Sequence, residues 1–304
     1  MISRHAYNNL LWIDVENPTI DEVRCLMDEF DLSPVIAEEL LSPSIRPKTE
    51  QFDDHLYLVL HFPALRHTNS SRSDQEVDFV IGKHFLITVR YDTIDALHKF
   101  AKVFEVNAIL SRDRTTPDAG DVFFAMVMKL YRAIGHELEY IHDELEEVEA
   151  QIFEGREKEM VIGLSNLARD LLNIKQALTP HKEILDSLRA KALELFGDNY
   201  REEYSAIIGE YYRINSMRAT NADSLAELRE TNNSLLSTKQ NEIMKVLTTM
   251  AFVTLPLSLL ASTFGMNAEA MPIVGHPFDF WIIVGLMFSA MLVMFAYFKH
   301  NKWL

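Results

Sequence analysis

The stretch Asn241–Asn267, NEIMKVLTTMAFVTLPLSLLASTFGMN, decides how the rest of the chain is read. From Val246 to Phe264, 19 residues pass without a charged side chain, close to the roughly 20 that a helix needs to cross a bilayer. A second uncharged run of 19, Phe280 to Phe298, follows a short loop. Two such runs at the end of the chain predict a helical hairpin in a membrane.

The first run is not uniformly apolar around its circumference. Steps of seven from Asn241 reach Thr248, Leu255 and Ser262, and the interleaved series reads Met244, Ala251, Ser258. One helical stripe therefore carries small and polar side chains, while Val246, Phe252, Val253, Leu257 and Leu260 lie mostly off it. In lipid, such a stripe faces either a neighbouring helix or water. Pro256 removes one helix hydrogen bond and leaves the carbonyl of Phe252 without its usual donor.

The tripeptide Gly265-Met266-Asn267 ends the span. With the preceding NEIMKVLT, the internal Leu255-Pro256, Met271-Pro272 in the loop and the terminal YFKHNKWL, it resembles the CorA family of divalent-cation channels. The close resemblance covers residues 241–304, with a looser architectural likeness before it. The resemblance implies a homo-oligomer, a pentamer, whose first spans line a pore for hydrated Mg²⁺, with Mg²⁺ as the transported and regulatory ion and no other cofactor. It makes Gly265, Met266 and Asn267 the selectivity filter, Met244 and Leu247 a hydrophobic constriction, Asn241 an inner polar ring, and Glu269 an acid at the outer mouth. Asn241, Met244, Leu247, Thr248, Leu255, Ser258 and Ser262 become the pore-lining set. Mg²⁺ gives up its waters reluctantly, so neutral amide and carbonyl oxygens that bond those waters suit a filter better than a ring of carboxylates, which would hold the ion longer. The loop departs from the familiar MPEL form: it reads MPIVGHP, without the acid after Met271-Pro272 and with His276 added. A single His is a weak ligand set for Zn²⁺, Co²⁺ or Ni²⁺.

Lys239 and Lys245 precede the hairpin and Lys299 and Lys302 follow it, whereas Gly265–Asp279 contains no Lys or Arg. The bias of positive charge places both termini in the cytoplasm and the loop outside, and the resemblance implies a bacterial-type inner or plasma membrane. The net charge of −16 sits upstream. Residues 241–304 hold three acids and three bases, so the first 240 carry 42 of the 45 acids against 26 of the 29 bases. That excess argues against nucleic-acid binding and suits a region that tolerates cations. Cys25 is the only cysteine, so no internal disulfide forms, and the N-terminal MISRHAYNNLLWIDVEN lacks the apolar core of a signal peptide.

Three parts are expected: an α/β domain over 1–118, a long-helix stalk over 119–240 and the membrane hairpin over 241–304. In the first, Leu10–Val15, Leu56–Phe62, Val77–Ile81 and Phe85–Arg90 read as strands, the last two as a hairpin across Gly82-Lys83. Thr19 with Glu22 forms a capping box for a helix through Phe30, Ser33-Pro34 opens a short helix, and Asp95–Leu110 is helical. Val122–Phe153 and Met160–Phe196 carry apolar residues at helical spacing. A further helix starts near Asn199 and meets no strong breaker before the membrane. At roughly 1.5 Å per residue, a continuation into the first span gives a rod on the order of 90–100 Å, which needs partners along its length. The fold class is thus an α+β membrane protein, a cytosolic α/β domain whose long helical stalk continues into the first of two C-terminal transmembrane helices.

Asp223, Glu227 and Glu230 fall at i, i+4 and i+7, the stalk acids to which the resemblance gives a regulatory metal role. The run Glu137–Glu159, with ten acids and two bases, reads first as a solvated helix face. No phosphate-binding Gly loop, Cys pair or HExxH is present, which argues against an enzyme. Besides a Mg²⁺ channel, two readings stay open: a zinc transporter of the related ZntB type, and a membrane-tethered scaffold that conducts nothing.

Overall fold

The computed structural model describes the chain except residues 8, 65–73, 111–117, 197–199, 267–272, 274, 276 and 302–304. Two compact units are present, Met1–Arg229 and Glu230–Leu304.

The first unit contains a six-stranded mixed sheet: β1 (Ile2–Tyr7), β2 (Leu10–Glu16), β3 (Lys48–Gln51), β4 (His55–Pro63), β5 (Asp74–Gly82) and β6 (Phe85–Arg90). Their order across the sheet is β1-β2-β6-β5-β4-β3. β2 and β6 run parallel, with Ile13 opposite Ile87. The other neighbours are antiparallel. Every residue of β4 is buried, as expected for a strand with both faces covered.

Two helices follow β2. α1 (Ile20–Phe30) opens with Thr19 and Glu22 each bonding the other's backbone N–H, and Asp31 ends it in a left-handed conformation. α2 (Pro34–Glu39) has Ser33 accepting from the N–H of Ile36 and Pro34 in its first turn. Their apolar sides, Val23, Leu26, Ile36 and Leu40, pack with Ile13, Tyr57, Val80 and Ile87 of the sheet. α3 (Asp95–Leu110) comes after β6, and Phe100 and Phe104 meet Trp12 edge-on at 5.6 and 5.4 Å.

Long helices make up the remainder: α4 (Ala119–Phe153), α5 (Glu157–Leu178), α6 (His181–Phe196) and α7 (Arg201–Phe264). The expected single helix over Met160–Phe196 is therefore two, α5 and α6, on either side of Thr179-Pro180. Pro180 has no N–H for the helix ladder, and His181 just beyond it is fully buried. On α7, Ile207, Tyr211, Ile214, Asn221, Leu225 and Leu228 form a buried face. Asn221 Nδ2 donates to the carbonyl of Leu138 on α4 at 2.8 Å, and Arg229 Nη2 donates to Leu164 on α5 at 3.3 Å. α7 runs unbroken into the second unit, through Pro256 to Phe264. α8 (Asp279–His300) completes that unit.

A membrane-spanning hairpin with a polar stripe

The distal part of α7 and all of α8 are long and apolar enough to cross a membrane, and almost nothing in either segment is buried. Leu255 and Leu259 are each 69% exposed on α7, as is Trp281 on α8. Side chains of this kind are stable at such exposure only where lipid or another chain replaces water.

The burial pattern divides α7 into two faces. Thr249, Val253, Pro256, Leu257, Leu260 and Phe264 are covered or half-covered. Their spacing keeps them on one side at about 3.6 residues per turn. Phe252, beside that face, meets Phe298 of α8 with ring centroids 6.4 Å apart. Asn241, Met244, Leu247, Leu255, Ser258 and Ser262 are all exposed and, at about 100° per residue, centre on the opposite side. Thr248, at the margin of the stripe, is half-buried. Six of the seven side chains assigned from sequence to a pore wall thus share a surface that this unit leaves uncovered. Thr249, next to the stripe in sequence, turns its hydroxyl to the carbonyl of Lys245 at 2.8 Å on the covered side. Thr254 and Thr263 bond back in the same way, to Met250 at 2.7 Å and Leu259 at 2.8 Å. This local bonding lets a hydroxyl sit in an apolar span without a partner from another helix.

At the end of α7, Gly265 N–H bonds Ala261 O at 3.0 Å and Met266 N–H reaches Thr263 O at 3.4 Å. Gly265 is not among the positive-φ glycines. A Cβ there would lie 3.1 Å from Ala261 O, the carbonyl that accepts the bond from Gly265's own N–H. Met266 is 62% exposed. Asn267 and Glu269 lie outside the described residues, as do Met271-Pro272 and His276. Further along the loop Gly275 has φ +106°, a conformation that disfavours any side chain. Its N–H bonds Asp279 Oδ2 at 3.2 Å, while Asp279 Oδ1 accepts from Phe280 N–H at 2.6 Å. The first turn of α8 therefore holds Gly275.

Asp223, Glu227 and Glu230 are exposed on α7, on the side away from its buried residues Asn221, Leu225 and Leu228. None of the three makes a hydrogen bond or ion pair with another described residue. Among the described residues no group of three or more His, Cys, Asp or Glu is placed to hold a metal ion.

A mixed α/β domain followed by long helices, the last continuing into an apolar two-helix hairpin, defines an integral membrane protein with two spans. The CorA-like Mg²⁺ transporter protein family matches residues 7–300. The cobalt/magnesium transport protein CorA of Thermotoga maritima is 25% identical over 294 residues, covering 96% of this chain and 83% of that protein. The zinc transport protein ZntB of Photorhabdus laumondii is also 25% identical, over 298 residues, covering 96% of this chain and 86% of the relative. In three dimensions the CorA magnesium transporter of Methanocaldococcus jannaschii superposes with a TM-score of 0.84 at 21% identity, covering 99% of this chain and 94% of that one. The chain belongs to the CorA-like Mg²⁺ transporter family.

Proposed function

We propose that this protein carries divalent cations across a membrane, as a homo-oligomeric channel whose pore is walled by the exposed stripe of α7. The observation that carries the reading is the division of α7. Its apolar residues Val253, Leu257 and Leu260 are half-covered, while Asn241, Ser258 and Ser262 stand on the uncovered side with Met244 and Leu247. A lipid-facing surface would reject that polar set. Several copies around an axis, five by resemblance, convert it into a water-filled wall.

The ion is Mg²⁺, passed with its waters in place. Ser258, Ser262 and Thr248 present hydroxyls to those waters. A ring of Asn267 amides at the outer end selects, and Met244 with Leu247 closes the inner end by dewetting. Both termini face the cytoplasm, where Lys239, Lys245 and Lys299 flank the spans. Cytosolic Mg²⁺ at Asp223, Glu227 and Glu230 favours the closed state, and Glu269 concentrates cations at the mouth. The protein works as a transporter rather than an enzyme.

A zinc-carrying variant of the same architecture is the second reading. It is favoured by the loop, which lacks an acid after Met271-Pro272 and has His276 instead, and by the similarity to a ZntB relative.

Flux into liposomes carrying the purified protein separates these, with Mg²⁺ and Zn²⁺ offered singly to wild type and Asn267→Ala. Mg²⁺ uptake abolished by the substitution supports the channel. Uptake of Zn²⁺ alone moves the assignment to the second reading, and absence of both from an intact oligomer rejects conduction.

A further inference from the structure

A concavity of about 490 Å³ lies in the first unit where the end of β4 and the start of α3 approach α4. Its size falls within the roughly 300–1,000 Å³ usual for small-molecule sites. Phe62, Pro63, Ile94, Leu130 and Ile134 supply an apolar lining. Lys99 from α3, and Lys129, Arg132 and His136 at i, i+3 and i+7 on α4, bring basic groups to the same cavity. Lys99, Lys129 and Arg132 are exposed, and none makes a hydrogen bond or close ion pair with another described residue. Arg132 acts on Glu210 only at longer range, helping to lower that carboxyl's pKa after the direct bond from Arg213. Three cations without direct partners among the described residues thus meet around one cavity, in a chain with 45 acids against 29 Lys and Arg.

Apolar walls with convergent cations fit an organic phosphate better than a metal or an inorganic anion. A bare metal is repelled by the three charges, and a small anion leaves the floor formed by Phe62, Leu130 and Ile134 unused. Asp95 and Glu137 also line the cavity. Two carboxylates oppose a naked polyphosphate and favour one that arrives with its own divalent cation. We propose that this cavity binds a nucleoside polyphosphate in its magnesium complex, the base against the apolar floor and the phosphates on Lys99, Lys129 and Arg132. Such a site reports the cytosolic pool of metal-loaded nucleotide to the helix that carries it, α4. The proposal stands apart from the conducted ion, because the cavity and the transport stripe share no residue and binding is measured without flux.

The test is equilibrium dialysis of the full-length protein in detergent against ATP at fixed free Mg²⁺, with inorganic tripolyphosphate and adenosine as separate probes. ATP binds more tightly than either fragment, and Lys129→Ala/Arg132→Ala weakens it on the order of tenfold or more, the value of one or two charge-assisted bonds. Both residues are exposed, so melting of the double variant stays near wild type. Ala133→Phe, which fills the cavity without altering charge, also lowers ATP affinity. The proposal is overturned if millimolar ATP does not bind, if the double variant binds it as wild type does, or if tripolyphosphate matches ATP. Tighter binding of ATP after Mg²⁺ is removed with EDTA would likewise overturn the role given to Asp95 and Glu137.

Discussion

The hydroxyl of Tyr131 on α4 meets Nδ1 of His181 at the start of α6 at 2.8 Å, and His181 Nε2 lies 2.8 Å from the carbonyl of His61 on β4. A carbonyl only accepts, so Nε2 carries the proton and Nδ1 accepts from Tyr131. This one neutral ring ties two helices to the sheet, fully buried.

Burial lowers the pKa of His181 to about 4 from 6.5, outweighing the bond to His61 that pulls the other way. Between those values the unfolded chain binds a proton that the folded one refuses. The stability His181 contributes is therefore complete above pH 6.5 and is lost as pH falls toward 4. The loss amounts to about 3 kcal/mol. Melting of wild type and His181→Gln, followed from pH 7.5 to 4, should show a gap that narrows with acid. A constant gap would mean that the imidazole binds its proton equally well in the folded and unfolded chain.

Asp78 on β5 presents the opposite sign. Its Oδ2 accepts from Tyr91 at 3.1 Å and Tyr57 at 3.5 Å. Burial first, and the neighbouring Glu76 second, raise its pKa well above 3.8. A carboxyl held protonated contributes fully below the unfolded value and progressively less as pH rises above it. Asp78→Asn keeps the two acceptor bonds and removes that cost, so the variant melts higher than wild type at pH 8, by about 1–3 kcal/mol. The advantage shrinks toward pH 4. A variant less stable than wild type at pH 8 would show the ionised carboxylate to be a needed partner.

The buried pair on β2 and β6 behaves differently again. Arg90 Nη2 lies 3.1 Å from Asp14 Oδ2 and 3.0 Å from Glu16, and Thr88 donates to Asp14 Oδ1 at 2.8 Å. Asp14→Ala leaves Arg90 with Glu16 as its remaining carboxylate and takes the acceptor from Thr88, at a cost of about 1–3 kcal/mol. Replacing both with apolar residues (Asp14→Leu with Arg90→Met) recovers a large part of that loss. Chemical denaturation of the three proteins measures the difference, and equal loss in single and double variants would deny the pair its coupling.

Leu247 lies 55% exposed on the stripe of α7, three residues from Met244. If these two close the inner end by excluding water, Leu247→Ser wets it. Resting Mg²⁺ flux into liposomes then rises severalfold, and high internal Mg²⁺ inhibits it less. Unchanged resting flux would move the constriction elsewhere along the helix.

Much of this protein is legible in its sequence because the deciding signals are local. The capping box of Thr19 and Glu22, the short helix after Ser33-Pro34, the hairpin across Gly82-Lys83 and helix α3 over Asp95–Leu110 all depend on residues a few positions apart. The two spans do as well, since 19 uncharged residues admit little else. The polar stripe was readable because helical periodicity is a property of one element.

Other features depend on residues far apart in the chain, and only the tertiary structure decided them. β1 and β3 carry half-exposed, weakly patterned residues and are strands because β2 and β4 offer them an edge. The parallel pairing of β2 with β6 joins residues some 74 positions apart in sequence, Ile13 and Ile87, and no periodicity encodes such a partner. The break at Pro180 has a local cause, a residue without an N–H for the helix ladder, whereas the inward turn of His181 to Tyr131 is decided by packing. Which side of α7 is covered follows from packing, as does the gathering of Lys99 with Lys129 and Arg132 around one cavity. Periodicity says that a helix has two faces, and burial against the rest of the chain says what each one meets.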